Sequence, residues 1–143
     1  MNENTALVST GVGSSEPLPD SLLEAIIDGS LRRYIAANYP ADAFRPVPRV
    51  RCLDGTTLSV QASEMHYCRP RDNRGPYHSV EIGYPDVLPP AAWEDYAEDP
   101  DTCDTVWAAV PVELVREYVA LHGGEDVEWY RHALQKKLGD YYE

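Results

Sequence analysis

The sequence predicts an α+β domain: a three- to four-stranded, mainly antiparallel sheet packed with about three helices. Three observations carry this. Residues 47–84 alternate apolar and polar letters around turn residues, the period of half-buried strands. Residues 22–35 and 112–119 repeat apolar letters at three- and four-residue steps, the period of a helix with one buried stripe. At 143 residues the chain has room for one domain with a real core.

Residues 1–17 are small, polar and Gly/Ser-rich, so a disordered tail is expected there, with a single domain over 18–143. Gly-Val-Gly-Ser-Ser at 11–15 lacks the Lys and the preceding strand of a phosphate loop. A helix is expected over 21–38. Ser21 and Glu24 have capping-box spacing, and Leu22, Leu23, Ile26, Ile27, Leu31, Tyr34 and Ile35 make one apolar stripe. Gly29 should weaken its middle by about 1 kcal/mol.

The meander over 47–84 turns at Asp54-Gly55. Parity sets its faces. Placing Cys52 opposite Leu58 and Val50 opposite Val60 puts all four, with Ala62, on the buried side. Arg49, Arg51, Ser59 and Gln61 then face solvent. A slip of one residue would mix Arg with Leu and Val, so the loop must have odd length, three or five residues. Continued alternation would bury Glu64, so the strand should end or bulge near Ser63. The third strand runs from Tyr77 to Tyr84 with Val80 and Ile82 inward. Residues 85–104 are Pro-rich and acidic, a long excursion. Val106 to Val110 reads as a short buried strand. Pro111 suits the first turn of a helix over 111–122 that ends at His122-Gly123-Gly124. A last helix is expected over 125–138, with acids at its start and Lys136-Lys137 at its end.

Charge is the most informative feature for function. Residues 81–128 hold thirteen acids and one base, Arg116, so the formal charge of −12 lies in that segment. Segregated negative charge repels nucleic acid and membrane and attracts a basic partner. The densest run is Glu94, Asp95, Glu98, Asp99, Asp101 and Asp104. Extended, the eleven positions 94–104 span about 36 Å, with the six charges about 6 Å apart. A nucleic-acid strand carries one charge per roughly 3.4 Å. The interleaved Trp93, Tyr96 and Trp107 are candidate apolar anchors, beyond what a solubilising loop needs. These nine residues form the candidate partner-binding site. The partner expected is a basic surface of a bacterial protein or nucleoprotein complex, with no direct nucleic-acid contact and no membrane; a homo-oligomer is compatible with the same letters.

Other chemistry is thinly signalled. Arg69-Pro70-Arg71-Asp72-Asn73-Arg74 with Tyr67 and Tyr77 has the look of a nucleic-acid contact loop, but the overall charge opposes it. Cys52, His66, Cys68 and His78 could be drawn as a zinc site or a cysteine-dependent enzyme. They lack paired ligands at the usual spacing, and no nucleophile motif surrounds Cys68, Ser59 or Ser79. The acidic run lacks the order of a calcium loop. No cofactor, no metal and no catalytic residue is expected, and the chain is read as a non-enzymatic protein. The three cysteines have no CxxC pair and suit a reducing cytosol. No targeting segment and no stretch of roughly 18 apolar residues is present.

The strings Leu58-Ser-Val-Gln-Ala-Ser63, His66-Tyr-Cys68-Arg-Pro-Arg71 and Tyr77-His-Ser-Val-Glu-Ile-Gly-Tyr-Pro85 resemble a pattern in small, largely uncharacterised phage and prophage proteins. Val110-Pro-Val-Glu-Leu-Val115 and His122-Gly-Gly124 fit the same pattern, which covers roughly residues 47–124. The resemblance implies a mobile-element protein acting in a bacterial host cytosol, and a counter-defence role such as anti-CRISPR inhibition. A phage structural or assembly protein is the alternative it allows. It implies no site residue, and the run 93–104 is the part that matches it least.

Overall fold

The computed structural model describes residues 16–133. In chain order the elements are α1 (Leu22–Ile27), α2 (Ser30–Asn38), β1 (Val50–Arg51), β2 (Thr57–Gln61), β3 (Ser79–Gly83), β4 (Val106–Pro111), α3 (Val112–Leu121) and α4 (Val127–Ala133). Short 3₁₀ turns lie at Pro40–Asp42 and Ala91–Tyr96. The strands form one four-stranded sheet in the order β1-β2-β3-β4, every neighbour antiparallel. This is the α+β fold expected. The proposed tail lies outside the described residues except for Glu16 and Pro17. Glu16 is fixed there: its carboxylate accepts from Arg33 Nη2 at 2.6 Å. The expected end of the last helix at Leu138 also lies outside them.

Period alone made one helix of residues 21–38; the structure makes two. The break is Gly29, whose φ of +85° is left-handed. A glycine is required there, because a Cβ would collide with the Arg74 carbonyl and sit 2.8 Å from Arg33 Nη1. The two short helices can therefore turn their apolar sides to one core, with Leu22, Ile26, Leu31 and Ile35 all buried.

The parity prediction for the hairpin holds, and its pairing shifts by two. Val50 lies opposite Leu58 and Arg51 opposite Thr57, where Cys52–Leu58 and Val50–Val60 were expected. A two-residue shift leaves every side chain on its face, and Val50, Cys52, Leu58, Val60 and Ala62 are all buried. The loop has the shorter of the two odd lengths. Cys52 N–H donates to Thr56 O at 2.7 Å, and Gly55 takes φ +95° at the left-handed position of a three-residue turn. β2 ends at Gln61, just before Ser63. Gln61 itself departs from the expectation. It is only 7% exposed, and its amide accepts from Val47 N–H at 3.1 Å and donates to Val47 O at 3.2 Å. A buried polar group is stable here because its bonds are made within the protein.

β3 is shorter than Tyr77–Tyr84, with Val80 and Ile82 in the core as expected. β4 carries an irregularity opposite Val80–Ile82, with Ala109 at φ +54°. Pro111 closes β4 and is the N-cap of α3, which begins at Val112, one residue later than expected. Helices α1, α3 and α4 lie against β2, β4 and β1 respectively.

Candidate functional site

The excursion between β3 and β4 is anchored at both ends and in its middle. Ala97 bridges to Trp107 on β4, and Tyr84 N–H donates to Thr105 O at 3.0 Å. Ala91–Tyr96 forms a 3₁₀ turn whose buried residue is Trp93. Trp93 packs edge-on to Trp107 at 6.4 Å between ring centroids and against Tyr118 at 5.5 Å.

That packing corrects the sequence-based site. Trp93 is 2% and Trp107 1% exposed, so neither ring is offered to a partner. Tyr96 is half-buried against the same core. The aromatic letters between the acids are the stem of the excursion. An acidic, Pro-rich stretch needs such a stem to stay in place, and sequence alone does not separate stem from anchor.

The carboxylates stand differently. Glu94, Asp95, Glu98, Asp99, Asp101 and Asp104 are all exposed. None of the six is within ion-pair distance of a basic side chain among the described residues. The wider acidic wall over 81–128 is broken up. Asp86 meets Arg49 at 3.8 Å and Asp126 meets Arg51 at 3.6 Å. Glu128 pairs with Arg131, and Glu81 accepts from Tyr67 N–H at 2.9 Å. Glu125 is drawn inward to cap α1. The hairpin arginines thus pair with Asp86 and Asp126, while the 94–104 run stays uncompensated among the described residues.

The start of the excursion exposes three large apolar side chains. Tyr84, Val87 and Leu88 are 52%, 44% and 44% exposed. The available signal was the setting of large apolar letters among Pro85, Pro89 and Pro90, where no strand or helix can bury them.

The Cys/His set does not assemble. Among the described residues no three of His, Cys, Asp and Glu gather where they could hold a metal ion. Cys52 lies in the core beneath the hairpin, and burial pushes its thiol up to about 11. Burial likewise raises the Cys68 thiol, whose Sγ donates to Ser63 O at 3.2 Å. His66 Nδ1 sits 2.6 Å from Ser63 Oγ, and burial holds its ring below the usual imidazole range. Ser63 is fully buried, so this pair offers no open nucleophile. His78 is exposed, apart from these groups. Cys52, His66, Cys68 and His78 thus do not gather into one metal-holding group among the described residues.

The basic loop keeps Arg69, Arg71 and Arg74 exposed, with Arg71 over the Tyr67 ring at 5.0 Å. No helix among the described residues is long and apolar enough to cross a membrane. No protein-family model, curated protein or solved structure matches the chain.

Proposed function

We propose that this chain is a non-enzymatic binding protein that inhibits a bacterial nucleic-acid-handling defence complex by occupying its basic nucleic-acid-binding surface, in the manner of an anti-CRISPR protein. The reading rests on one observation: six carboxylates within eleven residues, all exposed and none paired with a base among the described residues. Such a segment offers a cationic channel what a nucleic-acid backbone offers it, closely spaced negative charge held on a folded support. The choice of a defence complex, and of the bacterial cytosol, comes from the phage-type resemblance.

Binding of this kind is steered by charge, so association is fast and weakens steeply with salt. The test is a competition. Added protein should displace DNA from the basic complex, less so as salt rises. Replacing the six acids by Asn or Gln should abolish displacement. Unchanged displacement with an unchanged salt slope would reject the reading.

A further inference from the structure

We propose that Tyr84, Val87 and Leu88 form the apolar centre of an interface for which the 94–104 acids are the rim. The partner would be a protein surface with lysines or arginines around an apolar pocket. This rests on the acidic-surface reading above and names the contact that would give it specificity.

Position is the first support. Backbone groups of this loop are bonded beside both ends of the acidic segment. Tyr84 is hydrogen-bonded to Thr105, next to Asp104. Val87 O accepts from Tyr118 OH at 2.7 Å, and Tyr118 packs on Trp93, next to Glu94. The backbone that carries the apolar side chains is thus held beside the residues that flank the acidic run.

Rigidity is the second. Asp86 clips the loop to β2: its Oδ2 accepts from Thr57 N–H at 2.7 Å and Thr57 Oγ1 at 3.0 Å, and its own N–H donates to Thr57 O at 3.0 Å. Arg49 Nη2 donates to Tyr84 O at 2.6 Å. The backbone at Tyr84 is left-handed, φ +49°, a conformation that costs energy in a non-glycine residue and persists only where its surroundings impose it. Large apolar side chains held outward on a pinned loop lose little freedom on binding, and tyrosine is among the residues that dominate interface energies. Three of the five residues 84–88 are large, apolar and exposed.

Charge selects the partner. Exposed carboxylates on the same excursion disfavour nucleic acid and anionic lipid, and favour a cationic protein. They also disfavour a second copy meeting the same patch, since each copy would bring the same acids.

The test uses two short peptides of equal positive charge on the full chain, one of lysine and glycine, the other with two glycines replaced by tryptophan. The wild type should bind the tryptophan peptide on the order of tenfold more tightly. The variant Tyr84→Asn, Val87→Ser, Leu88→Ser should bind both alike, with unchanged affinity for the lysine–glycine peptide. Asn tolerates the left-handed backbone, and circular dichroism checks that the variant folds. No tryptophan advantage in the wild type, or a full advantage in the variant, overturns the inference. So does a dimer at about 100 µM in sedimentation that the variant abolishes, since the occupant is then a second copy. Neutralising the six acids should weaken both peptides equally. If that change has no effect while the tryptophan advantage persists in the wild type and is lost in the triple variant, the charge reading fails and the apolar one stands.

Discussion

Glu125 closes the N-terminus of α1, whose N-cap is Ser21, 104 residues earlier in the chain. Its carboxylate accepts from Ser21 Oγ at 2.6 Å, from Leu22 N–H at 2.8 Å and from Leu23 N–H at 3.3 Å. Ser21 Oγ in turn accepts from Glu24 N–H at 3.0 Å. The capping box is thus half made. Glu24 turns away to Arg116 with two bonds at 2.8 and 2.9 Å, and a distant acid takes its place.

Removing that carboxylate should loosen α1 and the chain before α4 together. Glu125→Ala is expected to cost about 1–2 kcal/mol in denaturant unfolding, and Glu125→Gln less, because one acceptor oxygen remains. Burial pushes the Glu125 carboxyl above its ordinary value of 4.5, against the pull of its three donors. A raised folded-state value means the associated stability is full below 4.5 and is lost as pH rises through the folded value. The stability of the wild type relative to Glu125→Gln, which does not titrate, should therefore fall as pH rises above 4.5. A flat difference across that window would contradict this.

Asp54 gives the opposite slope. The Thr56 backbone N–H, then His122, hold its carboxyl down from 3.8 to about 2. Its Oδ2 lies 2.7 Å from His122 Nδ1, joining the hairpin to the end of α3. A depressed value gives stability that is complete above 3.8 and is lost as pH falls toward about 2. Asp54→Asn should flatten that part of the acid-unfolding curve, followed by circular dichroism.

Two glycines separate backbone strain from packing. Gly55 has φ +95° with no atom within 4 Å of a would-be Cβ, so Gly55→Ala should cost only the left-handed penalty, about 1 kcal/mol. Gly29→Ala adds a collision with the Arg74 carbonyl and should cost about 3 kcal/mol. Equal losses in urea unfolding would show that the Gly29 contact is easily relieved.

Trp93 and its acidic neighbours should part company under mutation. Trp93→Ala removes a buried ring and should destabilise the fold by about 3–5 kcal/mol. Neutralising the six acids removes mutual repulsion and no ion pair among the described residues, so the melting temperature should hold or rise. A large loss from the acid variant would mean that these charges are structural.

The thiols should report their burial. Cys103, the least enclosed of the three, should react with a disulfide reagent in native protein, while Cys52 and Cys68 wait for unfolding. Three equally fast thiols would be inconsistent with the packing of β1 and of the loop before β3.

Much of the fold was legible in letters, because local period acts through nearest neighbours. Alternation sorted Val50, Cys52, Leu58 and Val60 to one face, and the three- and four-residue step placed Val112, Val115 and Val119 on one side of α3. Periodicity does not reach between segments distant in the chain. It could not choose between pairings two residues apart, since both bury the same side chains. It could not see that Gln61 would find Val47, or that Glu125 would find Ser21. For the candidate site the division is sharper. The exposed acids could be read directly, since dense like charge resists burial. Which aromatic rings face inward depends on what covers them. Tyr118 and β4 claim Trp93 and Trp107, while the prolines around Tyr84, Val87 and Leu88 keep those side chains from any such cover.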